Sequence, residues 1–79
     1  MREQIKSIIQ DKIRPRLGNV TFTNECKLMD ELGLDSLDVM EIIMESEGKT
    51  GVRIPDKLIH HIYTVEDIYK LFERVDGRR

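Results

Sequence analysis

The sequence predicts an all-α fold: a small bundle of three main helices plus one short helix, with a long loop between helices 1 and 2. Three segments carry apolar residues at the i, i+3, i+4 spacing of amphipathic helices, and capping or turn residues separate them. Because 79 residues suffice for only one small core, we expect a single domain over residues 1–79, with 76–79 as a frayed tail.

The first predicted helix carries four isoleucines on one face. They are Ile5, Ile8, Ile9 and Ile13. Since the residue before a proline is biased against helix, this helix should end near Arg14, ahead of Pro15. Residues 15–35 show no sustained period and contain several glycines and asparagines, so they are predicted to form the long loop. Five apolar residues are candidates to pin that loop to the core: Val20, Phe22, Leu28, Leu32 and Leu34.

The second predicted helix begins at a cap formed by Asp35, with Asp38 three positions on as the partner of a capping box. It should run to about Glu47 and stop at Gly48, and residues 48–51 should form a loop. Its apolar period places four residues on the face that meets the core: Val39, Ile42, Ile43 and Ser46.

The short third helix is predicted to begin near Asp56, after Pro55. Thr64, with Asp67 three positions on, should cap the last helix. Its buried face is predicted to contain five residues: Val65, Ile68, Tyr69, Phe72 and Val75.

Charge is distributed unevenly along the chain, although the formal net charge is only −2. Residues 30–47 contain seven acidic side chains and no basic one, whereas residues 1–29 contain six bases and three acids. Such a run favours a basic partner and argues against nucleic acid as the partner of this segment. A solvated helix face with no partner is the simpler alternative.

The sequence also excludes several other functions. It contains no apolar run near the roughly 18 residues that span a membrane, so no membrane insertion is expected. One cysteine, Cys26, cannot form an internal disulfide, and no secretory signal is evident, which together predict a cytoplasmic protein. His60 and His61 are adjacent and point about 100° apart on a helix, so no metal site is expected. No motif of a catalytic site appears, and nothing requires more than a monomer.

Ser36 occupies the first turn of the second helix, where its hydroxyl should face water. Backbone N–H groups without intrahelical partners and the helix dipole favour an anion there. On the outer side of the same helix, Leu37 and Met44 lie beside the acids Asp38, Glu41 and Glu45. This apolar and acidic surface suits a partner with apolar and basic groups. Alternatively, Leu37 and Met44 belong to the edge of the core.

The segment LGLDSLDVMEIIMESE, Leu32 to Glu47, resembles the phosphopantetheine attachment region of acyl carrier proteins, with Asp35-Ser36-Leu37 as its signature triplet. RIPD, from Arg53 to Asp56, and TVEDIYKLF, from Thr64 to Phe72, also match the family at the expected distances without a gap. The resemblance therefore extends over nearly the whole chain, including its single-domain length.

The resemblance implies that Ser36, between Asp35 and Leu37, bears a covalent 4′-phosphopantetheine arm, which a phosphopantetheinyl transferase takes from coenzyme A. Acyl groups would be carried on the arm as thioesters and delivered to acyltransferases, ketosynthases or acyl-ligases with basic docking patches. The protein itself would not be an enzyme. Partners would contact a set of seven residues: Leu37, Asp38, Glu41, Met44, Glu45, Ile54 and Asp56. Six apolar residues could line a pocket for the acyl chain: Met40, Ile43, Met44, Ile54, Ile62 and Ile68.

Two departures from the family pattern concern the pathway, which would be fatty acid, polyketide or related lipid biosynthesis. Thr50 stands where a core phenylalanine is common, so Phe22, Phe72 or Tyr63 should fill the core instead. Lys57, His60 and His61 stand where acids are frequent, which favours a specialised pathway. Two alternatives remain open: an aminoacyl or peptidyl carrier with the same arm, and an unmodified helical adaptor that binds a basic partner.

Overall fold

Four helices follow one another along the chain in the computed structural model, which describes residues 1–78. They are α1 (Arg2–Leu17), α2 (Ser36–Thr50), a short 3₁₀ helix (Asp56–His61) and α3 (Val65–Asp76). These residues form no β-strand, and one isolated antiparallel bridge joins Lys27 to Thr64. The predicted all-α fold, with three main helices, one short helix and a long loop after α1, is confirmed.

The core forms where the apolar faces of α1, α2 and α3 meet. All four isoleucines of α1 are buried, as are the four residues predicted for α2 and all but Val75 of those predicted for α3. From the long loop, Leu28, Leu32 and Leu34 are buried and Phe22 is half-buried, whereas Val20 is 39% exposed. Each fully buried aliphatic or aromatic side chain contributes about 1.5–3 kcal/mol relative to its exposed state.

Both predicted capping boxes are present. At α2, the Asp38 N–H donates to the Asp35 carboxylate at 2.8 Å, and the Asp35 N–H donates to that of Asp38 at 3.1 Å. At α3, the Asp67 N–H donates to the Thr64 hydroxyl at 3.2 Å, and the Thr64 N–H donates to the Asp67 carboxylate at 2.9 Å. These reciprocal bonds satisfy orphan N–H groups at each helix start and fix where α2 and α3 begin.

The predicted end of α1 was wrong, because the helix continues through Pro15 to Leu17. A proline removes one N–H donor, and in the last turn of a helix this interrupts few bonds. The Gly18 N–H still donates to the Arg14 carbonyl at 2.8 Å, and Gly18 has a φ of 71°.

The predicted end of α2 was also wrong, because residues 48–50 are helical rather than part of a loop. Gly51, not Gly48, ends the helix: its φ is 74° and its N–H donates to the Glu47 carbonyl at 2.9 Å. Thr50 joins the helix through its hydroxyl, which donates to the Ser46 carbonyl at 2.7 Å and accepts the Val52 N–H at 3.2 Å.

Of the three aromatic residues expected to compensate for Thr50, Phe72 is fully buried and Phe22 packs against the core from the loop. Tyr63 is 66% exposed and is not part of the core. Asp76, the first residue of the predicted tail, still lies in α3, and the N–H groups of Gly77 and Arg78 donate to carbonyls of α3. Arg79 lies outside the described residues.

The long loop is bonded to the start of α3. The Leu28 N–H donates to the Tyr63 carbonyl at 2.9 Å, and the Val65 N–H donates to the Cys26 carbonyl at 3.1 Å. The Glu66 N–H donates to the Asn24 carbonyl at 2.8 Å. The loop therefore satisfies N–H groups of the first turn of α3 that the capping box leaves unpaired.

Candidate functional site

Ser36 is exposed and is the first residue of α2. The Asp35 carboxylate accepts the N–H of Asp38, so the cap leaves the N–H groups of Ser36 and Leu37 available to another acceptor. Together with the positive end of the helix dipole, these groups fit a phosphodiester on the Ser36 hydroxyl. By contrast, Ser46 on the same helix is fully buried, so no reagent can reach it.

An open cavity of about 410 Å³ lies beside Ser36, between α2 and the 3₁₀ helix. Six residues line it: Ser36, Val39, Met40, Asp56, Ile59 and His60. Only Met40 among these belongs to the six residues that the sequence predicted for an acyl pocket. Ile43, Ile54 and Ile68 lie within the core instead, and Met44 is 63% exposed on the outer side of α2.

The outer side of α2 carries a surface that we call the α2 edge, in which Asp38 is half-buried and the other four members are exposed: Leu37, Asp38, Glu41, Met44 and Glu45. Leu37 and Met44 are 66% and 63% exposed, so they are not part of the edge of the core. They lie beside the three acids, as the helical period predicted. Exposed apolar side chains next to charged ones are typical of a surface that another protein covers.

All three acids of the α2 edge are paired with bases of α1. The Lys12 ammonium lies 3.0 Å from a Glu41 carboxylate oxygen and 3.4 Å from one of Glu45. The guanidinium of Arg16 lies 3.6 Å from the Asp38 carboxylate. The hydrogen bond to Glu41 raises the pKa of Lys12 above its usual range, with a further contribution from Glu45. The negative field of this edge is therefore partly neutralised within the chain.

Two other residues predicted at the partner surface lie in different environments. Asp56 is exposed at the start of the 3₁₀ helix and borders the cavity beside Ser36. Ile54 is only 6% exposed, so it supports the surface from the core and offers little area for contact. Its N–H donates to the Glu47 carboxylate at 2.7 Å, so this last acid of the run joins α2 to the segment before the 3₁₀ helix.

Sequence reasoning missed Lys12 and Arg16 as neighbours of the acids, and Ile59 as a lining residue of the cavity. A signal for the first two existed. They stand four residues apart on α1, opposite the acids at the three- and four-residue spacing of α2. The pairing itself required the packing of α1 on α2. For Ile59, the half-buried middle of a short irregular helix, no comparable signal exists.

Residues 1–78 contain no group of three or more His, Cys, Asp or Glu side chains arranged to hold a metal ion. In the same part of the chain, no helix is both long and apolar enough to cross a membrane.

A family model described as the phosphopantetheine attachment site matches residues 3–72. An acyl carrier protein from Thermotoga maritima is 39% identical over 78 residues, which cover 96% of each chain. The chain belongs to the acyl carrier protein family. Another family member, the acyl carrier protein of Helicobacter pylori, is 39% identical over 71 residues, covering 90% of this carrier and 88% of the relative.

The fold agrees with that assignment. A solved structure described as an acyl carrier protein from Mycobacterium tuberculosis superposes with a TM-score of 0.80 at 30% identity, covering 92% of this carrier and 95% of that chain. The protein is therefore an acyl carrier whose cofactor is 4′-phosphopantetheine. Neither the aminoacyl carrier nor the unmodified adaptor is favoured by these comparisons, and the relatives are named as carriers.

Proposed function

We propose that Ser36 is the residue that bears the 4′-phosphopantetheine arm. The observation that carries this proposal is its place: an exposed hydroxyl in the first turn of α2, within the family's Asp35-Ser36-Leu37 triplet. The cap at Asp35 and the N–H groups of Ser36 and Leu37 would hold the phosphodiester. The bound arm supplies a terminal thiol on which acyl groups form thioesters.

The attachment step is carried out by a separate phosphopantetheinyl transferase. The Ser36 oxygen forms a bond to the phosphorus that bears the pantetheine, and the bond from that phosphorus to the remainder of coenzyme A breaks. Adenosine 3′,5′-bisphosphate leaves with the electron pair, and a base of the transferase takes the serine proton. This carrier contributes an accessible hydroxyl held at a rigid helix start, so its own groups need not catalyse the step.

The α2 edge is proposed as the surface that the transferase and acyl-transferring enzymes contact, with Asp56 at its border. Leu37 and Met44 supply the exposed apolar area, and Asp38, Glu41 and Glu45 supply the charge that selects basic docking patches. The tether raises the effective concentration of the acyl group at a docked active site. The carrier therefore acts by delivery, as a cosubstrate of its partner enzymes rather than as a catalyst.

The cavity beside Ser36 is proposed to shelter the first part of the acyl chain. Val39, Met40 and Ile59 provide apolar lining, and Met40 is flexible enough to adapt to different chains. The buried Ile43, Ile54 and Ile68 lie deeper and would line the pocket only if the bundle opened. Solution NMR of the acylated carrier tests this: shifts confined to Val39, Met40 and Ile59 fit the open cavity, and unchanged shifts there contradict it.

Intact-mass measurement tests the attachment residue. Incubation of the apo carrier with coenzyme A and a promiscuous transferase should add one phosphopantetheine, and Ser36→Ala should abolish the gain. Ser7→Ala is the matched control, since Ser7 is an exposed serine of α1 away from the cap. A gain that survives in folded Ser36→Ala, or no gain in the unaltered protein, would overturn the proposal.

The cellular setting is proposed on coarser grounds. Residues 1–79 would form one domain that works as a monomer in the cytoplasm, where the single half-buried thiol of Cys26 stays reduced. The pathway would be fatty acid, polyketide or related lipid biosynthesis. Exposed Lys57, His60 and His61 lie on the 3₁₀ helix, where His60 lines the cavity, and they favour a specialised member of that group, whose partners tolerate positive charge there.

A further inference from the structure

The bases and acids on the facing sides of α1 and α2 match one another position by position. Lys12 and Arg16 are four residues apart on α1, and they meet Glu41 and Asp38 on α2 in antiparallel order. About two turns towards the start of α1 from Lys12, the Gln4 side chain donates to the Lys49 carbonyl at 3.4 Å. Polar contacts thus recur along the side of the interface between the two helices, from Arg16 to Gln4.

Lys12 holds the central position in this row. Its ammonium contacts both Glu41 and Glu45, and its side chain is only 23% exposed, whereas those of Glu41 and Glu45 are 47% and 57% exposed. The base is therefore the more buried member, and the acids are the outer members that a partner meets first. Exposed ion pairs are weak, but a shared and partly buried base holds its acids more firmly.

The Lys12 side chain borders an open groove. Its stem lies in an open groove of about 710 Å³ between α1 and α2, where Ile8, Pro15 and Gly48 are among the lining residues. A Cβ built on Gly48 would meet no atom within 4 Å, so the groove is open at that point. The groove therefore leaves room for the Lys12 side chain to change position when a basic side chain of a partner binds Glu41 or Glu45.

We propose that Lys12 weakens the docking of basic partners on the α2 edge, by acting as an internal counterion that a partner's basic side chain must displace from Glu41 and Glu45. The inference rests on the docking role proposed above for that edge. The binding free energy of a basic partner is therefore reduced by the cost of breaking the pairs of Lys12 with Glu41 and Glu45.

The test uses the full-length apo carrier as the substrate of a promiscuous phosphopantetheinyl transferase, with KM and kcat measured separately. Removing the Lys12 charge in Lys12→Gln should lower KM for the carrier by about two- to fivefold at low salt and leave kcat unchanged. The gain should shrink as salt is raised, because salt screens exposed charges.

Arg14→Gln is the matched control. Arg14 lies on the same helix and loses the same charge, but it bonds to Asp11 and Asn19 and has no contact with the α2 edge. Its KM should change less than that of Lys12→Gln. In the Glu41→Gln/Glu45→Gln background, Lys12→Gln should have no effect, since its acids are then already uncharged.

Several outcomes overturn the proposal: a KM for Lys12→Gln that is unchanged, raised, or matched by Arg14→Gln, or a gain that persists without Glu41 and Glu45. Lys12→Met retains the stem in the groove and provides a second variant if the glutamine variant folds poorly. Failure of the docking role is separable. If Glu41→Lys leaves KM unchanged, the α2 edge is not the docking surface; if it raises KM while Lys12→Gln does not lower it, only the counterion role fails.

Discussion

Reversing the charge of Glu41 should impair delivery without unfolding the carrier. Glu41 is exposed on the α2 edge, outside both capping boxes, and it forms an ion pair with Lys12 at 3.0 Å. Asp38 would be a poorer choice, because its carboxylate and its N–H both belong to the cap of α2. Glu41→Lys therefore separates docking from helix stability.

The magnitude follows from the charges. A pair of unit charges 4 Å apart contributes about 1 kcal/mol in water, so turning attraction into repulsion changes binding by about 2 kcal/mol before screening. Salt at physiological strength reduces this to roughly a tenfold rise in KM for a basic partner. In the folded carrier, the change removes the pair with Lys12, worth about 0.2–1 kcal/mol, and places a like charge beside Lys12, so Tm should fall by several degrees.

The assay measures KM and kcat for phosphopantetheinyl transfer, together with Tm by circular dichroism. Glu3→Lys is the matched control, because Glu3 is an exposed acid in the first turn of α1 and changes the net charge by the same amount. A normal KM with a collapsed Tm would refute the reasoning and make Glu41 a stabilising residue. An equal rise in KM for Glu3→Lys would show that net charge, not the α2 edge, is recognised.

Two further predictions concern stability. Ser46→Ala should raise the free energy of unfolding by about 1 kcal/mol, because the buried Ser46 hydroxyl has no hydrogen-bond partner within residues 1–78. The control Ser7→Ala, at an exposed position of α1, should raise it less. Equal gains of the two variants in thermal melts would contradict this prediction. Partial burial raises the pKa of Asp67, but N–H bonds from Tyr63 and Thr64 outweigh it and hold that pKa below normal. Asp67→Asn should therefore lower the free energy of unfolding by about 1 kcal/mol at neutral pH. The difference in stability between the two proteins should vanish as pH falls from about 4, the unfolded pKa, through the lower pKa of the folded state. A difference that does not depend on pH would contradict this prediction.

The beginnings of α2 and α3 were predictable because their signals are local. Asp35 with Asp38, and Thr64 with Asp67, each specify a box within four residues. The ends of α1 and α2 were harder to predict. Gly48 and Gly51 both qualify as terminators by type, and only the φ of 74° at Gly51 distinguishes them. Likewise, Pro15 predicts an end that burial of the preceding turn of α1 overrides.

The candidate site was predicted only in part, because some of its features depend on local sequence and others on how the helices pack. Helical period alone placed Leu37 and Met44 beside the acids, and resemblance selected Ser36. The pairing of Lys12 with Glu41 depends on how α1 crosses α2, which the sequence of either helix does not specify. The burial of Ile54 depends on the path from Gly51 to the 3₁₀ helix, where the Glu47 carboxylate holds its N–H.

The hydrogen bonds from the long loop to the start of α3 make the two sides of the bundle unequal in local stability. On one side, separating the loop from α3 would leave the N–H groups of Leu28, Val65 and Glu66 without acceptors at the same time. The loop and the start of α3 should therefore open together, as one cooperative unit. On the other, the 3₁₀ helix has no fully buried residue to hold it. Amide exchange should accordingly be faster in the 3₁₀ helix than at Leu28 and Val65, so the side of the bundle that borders the cavity beside Ser36 should open more readily.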